Sequence, residues 1–177
     1  LDLYGTVGWA AGTVERICAS AGVATRSFYE EFDTREELLL TVYAEILDGA
    51  RSAVGAAVAA APLRLEDRVR AGLTAYVGHL TRDPRRAKVA HVELRAAGRS
   101  LEEQRRAAVT GFADLIEREG LLLAGSGQRR PEAGRLTALA LAGAVNELLV
   151  DWATSEPPPP VTPMVDELVR VFVAALR

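Results

Sequence analysis

Two short apolar periodicities broken by a single glycine, between Gly12 and Phe32, constrain this chain more than anything else in it. Val14, Ile17, Cys18 and Ala21 recur at i, i+3, i+4 and i+7, the buried stripe of one short helix. Gly22 follows at once, and a glycine just past a periodic run supplies the left-handed residue that ends a helix. Val23 is apolar and is expected to plug the corner. A second short helix then runs from Ala24 to about Phe32, with Phe28 and Phe32 four apart on one face. Its outward positions offer Thr25, Arg26 and Ser27, small polar groups plus one guanidinium. Two helices joined this way form either an ordinary hairpin in a bundle core or a helix-turn-helix, whose second helix reads the major groove of DNA.

The flanks favour the second. Gly8-Trp9, Thr13-Val14, Ile17, Ala21-Gly22-Val23, Ser27-Phe28-Tyr29, Phe32 and Arg35-Glu36-Glu37-Leu38 together resemble the amino-terminal signature of the TetR family of transcriptional regulators. The match spans about residues 3 to 47 without gaps. The resemblance implies an all-α fold with a helix-turn-helix head over 1–47, its first helix truncated, and a larger helical effector-binding and dimerisation domain over 48–177. It also implies a cytoplasmic, homodimeric regulator that pairs through its last two helices. Its partners would be a near-palindromic double-stranded DNA operator and a small-molecule effector that releases it.

Six residues are expected to meet DNA. Arg26 can bond O6 and N7 of guanine in bidentate fashion, or else take a phosphate. Thr25 and Ser27 flank it. Thr13 opens a helix whose free N–H groups form an anion site, though capping alone also explains a threonine there. Tyr29 matches a family tyrosine that bonds a phosphate; partial burial beside Trp9 is its alternative. Arg35 stands in the first turn of a helix, where the dipole disfavours a cation, and an outside phosphate fits that position. Where the family often has serine, this chain has Ala24.

Charge runs against this reading. The net charge is −3, and residues 1–50 hold only Arg16, Arg26 and Arg35 against nine acids. That balance keeps open a helical adaptor that carries the head without using it on DNA. Lys88 is the only lysine among 21 basic residues, which with the abundant alanine points to a GC-rich bacterial genome. Cys18 is the one cysteine, so no intramolecular disulfide can form, as suits the cytoplasm. No apolar run is expected to reach membrane-spanning length, because the longest contain Glu147 and Asp151.

Downstream, every segment reads as helix. Leu1 to Val7 ends at Gly8, and Trp9 is expected to pack with Phe28 and Phe32. Thr34 and Glu37 form a capping box for a long helix reaching about Ala50. Further helices are expected over Leu65–Arg82, Arg85–Ala97, Leu101–Leu123 (stopped near Gly125-Ser126-Gly127), Pro131–Thr154 and Pro163–Leu176. Pro157 to Pro160 form a stiff connector. The last two helices are apolar enough to be buried, within one subunit or against a second.

Effector pockets are mostly apolar with a few placed polar groups. Tyr76, His91, Phe112 and Asn146 are the nominees for such a site. Glu93, two residues from His91, must face another side of its helix. No cofactor or metal is expected, since the two histidines lack an acidic partner on a shared face. No phosphate-cradling glycine loop, nucleophile elbow or HExxH pair occurs, so an enzyme is the least favoured class.

Overall fold

The computed structural model describes residues 1–98, 101–124 and 134–177. All regular structure among these residues is helical. The head comprises α1 (Asp2–Val7), α2 (Val14–Ala21) and α3 (Thr25–Glu31). Thr13 caps α2 by accepting the N–H of Arg16 at 3.4 Å. Gly22 ends it at φ 70°, a left-handed conformation that costs glycine nothing, and returns its N–H to the last turn. Ala24 precedes α3 without any side-chain cap.

Helix α4 (Arg35–Ala60) leaves the head and enters the helical body. Its start follows the expected capping chemistry with one change. Thr34 accepts the Glu37 N–H at 3.1 Å, while the Glu37 carboxylate takes the N–H of Asp33, one residue further back, at 2.8 Å. The helix continues ten residues past Ala50, through the alanine-rich run, because alanine is the best helix former and nothing before Pro62 interrupts it.

Helix α5 (Leu65–Thr81) returns antiparallel to α4. Next comes α6 (Pro84–Lys88), whose first turn is capped by Asp83. It passes directly into a π-helical turn at Val89–Glu93 and then into α7 (Leu94–Ala96). Helix α8 (Glu102–Ala124), α9 (Arg135–Thr154) and α10 (Val161–Leu176) complete the domain. The expected stop of α8 at Gly125–Gly127 and the expected start of α9 at Pro131 lie outside the described residues.

One core runs from head to tail. Tyr4 and Trp9 join Leu39, Tyr43, Val77, Leu80, Val89, Leu149, Leu168 and Phe172 in a single apolar cluster. Helix α10 lays Val165, Leu168, Val169, Phe172, Val173 and Leu176 inward, so most of its apolar stripe is satisfied within the subunit. Trp152 closes the proline connector by donating its indole N–H to the Pro159 carbonyl at 2.8 Å.

Three expectations need correction. Val23 is 48% exposed and plugs no corner; Cys18 and Phe28 are the buried side chains of α2 and α3. Trp9 packs not on Phe28 and Phe32 but on Tyr4, with ring centroids 5.7 Å apart, because α1 folds back over it. Helix α9 is long and apolar enough to cross a membrane by length and composition, since its acids are too few to lower the average. It nevertheless packs on α8 and carries polar ties: Arg135 to Glu117 at 3.0 Å and Glu147 to Arg95 at 2.6 Å.

Candidate functional site

The outer surface of the head is built by α2 and α3. Thr13, Thr25, Arg26, Ser27 and Tyr29 are all exposed there. Tyr29 is 57% exposed and stands edge-on to Phe28, so it is not tucked beside Trp9. Arg26 projects fully and pairs with Glu30 one turn on, at 3.0 Å. This i, i+4 pair is solvent-exposed and holds the guanidinium only weakly. Several acids of the head are likewise engaged: Asp2 pairs with Arg85, and Glu37 caps Asp33.

Arg35 behaves differently from the other five. Its guanidinium lies 4.0 Å over the Trp9 ring and donates to the carbonyls of Gly12, at 3.2 Å, and Trp9, at 3.4 Å. Carbonyl oxygens and a ring face therefore account for a cation at this helix start without an outside anion. Tyr4 supports the same corner, donating its hydroxyl to the Arg35 carbonyl at 3.1 Å. Burial pushes that phenol up to about 12, so it remains a donor.

Trp9 is thus held on all sides, and its N–H is held from a distance. Glu93, buried in the π-helical turn, accepts it at 2.6 Å. Gly8 makes the approach possible. Its φ of 84° suits glycine, and a Cβ there would lie 3.1 Å from the Glu93 carboxylate. The same segment grips α1 elsewhere. Arg85 pairs with Asp2, Lys88 reaches the Thr6 carbonyl at 3.3 Å, and Gly5 packs against the Arg85 backbone.

Behind this clamp lies an internal cavity of about 130 Å³ between α4, α5, α8, α9 and α10. Its walls include Leu47, Val54, Leu73, Ala108, Ile116 and Val145. Lining residues on α4 run from Tyr43 to Val58, about 22 Å at 1.5 Å per residue. Its lining follows α4 for about four turns, which makes it a slot along that helix. All four nominees line it, in two contacting pairs. Tyr76 meets Phe112 edge-on at 4.6 Å, and His91 Nδ1 lies 2.7 Å from Asn146 Oδ1. Burial lowers the His91 pKa to about 4, partly offset by the bond to Asn146, so the ring is neutral near pH 7. Burial likewise raises Tyr76, and raises Tyr43 to about 12.

Composition-based reading missed several wall residues. Tyr43 belongs to an apolar stripe and shows no separate signal. Arg68 and Glu119, both in the slot wall, form an ion pair at 2.7 Å, though they are 51 residues apart.

Residues 1–42 match the family model described as bacterial regulatory proteins, tetR family. No curated protein matches the sequence. Among solved structures, the fatty acid degradation regulator FadR from Bacillus halodurans superposes with a TM-score of 0.86 at 19% identity, covering 99% of this chain and 95% of that one. FadR from Bacillus subtilis, solved in complex with stearoyl-CoA, gives the same TM-score at 16% identity, again with 99% and 95% coverage. A bacterial regulatory protein in the tetR family from Rhodococcus RHA1 matches at 25% identity with a TM-score of 0.65, over 99% of this chain and 91% of that one. Residues 1–42 thus carry a helix-turn-helix head that matches the tetR-family model, set on a helical body with the fold of solved transcriptional regulators.

Proposed function

We propose that the chain is a dimeric repressor released from a near-palindromic operator by an elongated apolar effector. The division at residues 47 and 48 into a reading head and an effector domain belongs to this reading, with α4 continuous across it. The observation that carries it is the continuity between slot and head. His91 lines the slot, and two residues on, within the same π-helical turn, Glu93 holds Trp9 of the head. An element that touches both sites can have its equilibrium biased from either.

On the head, Thr13, Thr25, Arg26, Ser27 and Tyr29 are assigned to DNA, with Arg26 reading a base. Arg35 serves the same surface by fixing Trp9 beneath it, and its remaining N–H groups can add a phosphate contact. Dimerisation is supported by α9, of whose most apolar window only 33% is buried within the subunit. Leu136 is 82% exposed and lies opposite the buried stripe of Leu141, Val145, Leu149 and Trp152. Two heads are needed because half-sites lie about 34 Å apart, one helical turn of DNA.

An effector that fits a slot about 22 Å long and lined chiefly by aliphatic and aromatic groups is a single extended chain. The stearoyl-CoA of the Bacillus subtilis FadR complex carries such a chain. Release follows if the effector binds more tightly to a state with α4 tilted, in which the two recognition helices no longer match successive grooves.

The test is fluorescence anisotropy of the intact chain on DNA flanking its own gene, over a salt series, with Arg26→Ala in parallel. Tight binding that falls steeply with salt and weakens with the substitution supports the regulator reading. Weak binding indifferent to the substitution favours the adaptor reading, to which the acidic head gives support.

A further inference from the structure

One polar atom in the slot is left over. Among the described residues, His91 Nε2 is buried and has no hydrogen-bond partner, and the ring is 4% exposed. Buried polar atoms are normally paired, so an orphan facing a cavity points to what the cavity takes.

The chemistry of that atom follows from its neighbours. His91 Nδ1 contacts Asn146 Oδ1 at 2.7 Å. An amide could meet Nδ1 with either its oxygen or its nitrogen, and the choice fixes the imidazole tautomer. In the structure the amide oxygen, Oδ1, is the atom turned towards the ring, and an oxygen of this kind can only accept. Nδ1 carries the proton and donates it. Nε2 is then a bare lone pair. Asn146 acts as the positioning residue for this acceptor.

Resting on the extended-chain effector proposed above, we infer that the effector carries a hydrogen-bond donor, a hydroxyl, which occupies His91 Nε2. A saturated acyl chain offers nothing to pair with the acceptor. A hydroxylated chain or a long-chain alcohol satisfies it. Tyr43 and Tyr76 line the same slot, and burial keeps their phenols protonated.

The experiment is calorimetric titration of the intact protein with dodecanol and with fluorododecane, in which fluorine nearly matches the hydroxyl in size but cannot donate. Dodecanol is expected to bind about tenfold or more tightly, the ratio for satisfying a buried neutral acceptor. In His91→Phe the preference should vanish. Equal binding of the two to the wild type overturns the hydroxyl inference and leaves the chain-binding slot standing. Binding of neither overturns both. A measurement on the unliganded wild type guards against a variant that misfolds. Long-range ¹⁵N correlation spectra, with only two histidines to assign, should show His91 protonated at Nδ1. Protonation at Nε2 instead overturns the inference on its own.

Discussion

Glu93 accepts the backbone N–H of Trp9 at 2.6 Å, joining residues 84 positions apart at the border between head and body. Replacing Glu93 by Ala strands that buried N–H, at a cost of about 1–3 kcal/mol, whereas Gln keeps an acceptor and should lose less. Chemical denaturation checks the ranking. The regulatory outcome is more specific. Glu93→Gln should bind chain-like ligands as the wild type does but transmit less of that binding to DNA, read as a smaller ligand-induced change in operator affinity.

Stability should fall as the medium is acidified through the range from 6.5 to about 4. His91 is harder to protonate when folded than when unfolded, so below pH 6.5 the unfolded chain takes up the proton first. The stabilising contribution is full above 6.5, declines as pH falls, and levels off near 4. Its ceiling is about 3 kcal/mol. Arg95 disfavours the charged ring and Glu147 favours it. His79, also lowered by burial and then by Arg86, adds in the same direction. Urea titrations across this range, with His91→Gln as control, should show a flatter profile for the variant.

Two glycines should respond oppositely to alanine. At Gly5 a Cβ would sit 2.4 Å from Arg85 Cβ and 3.0 Å from its Cα, so backbone must shift and α1 should lift from α6. A loss of about 1–3 kcal/mol is expected, with faster hydrogen exchange across α1 to α3. At Gly55, within α4, the added methyl meets nothing within 4 Å. There Ala should stabilise by about 0.5–1 kcal/mol. Thermal melts of the two variants should move in opposite directions.

Leu136→Glu on the free face of α9 should weaken self-association and leave the subunit folded, because that side chain is 82% exposed within it. Sedimentation velocity should show the shift towards monomer, with the helical circular dichroism unchanged. A variant that stays dimeric moves the interface elsewhere.

The sequence revealed most where causes are local. Thr13, Gly22 and Thr34 mark helix ends because caps act within four residues, and each sits where the spacing puts it. Tyr76, His91, Phe112 and Asn146 were readable as polar or aromatic groups set into apolar helices, and all four line the slot. Hidden features depend on distance or on register. Nothing near Trp9 announces Glu93, and nothing near Arg68 announces Glu119. Arg35 showed its odd placement at a helix start but not the Trp9 ring that receives it. The π-helical turn at Val89–Glu93 carries no residue that forbids an ordinary helix, so only packing reveals it.

The span of α4 has a mechanical consequence. Its 26 residues make a rod about 39 Å long, with Arg35 and the Trp9 corner at one tip. A swing of about 5° about the far tip carries the head end through about 3 Å, on the scale of one base-pair step. Side chains halfway along, where the slot lies, travel only half that distance. With the far tip as pivot, a wall displacement within the reach of rotamer changes would arrive at the outer surface of the head doubled.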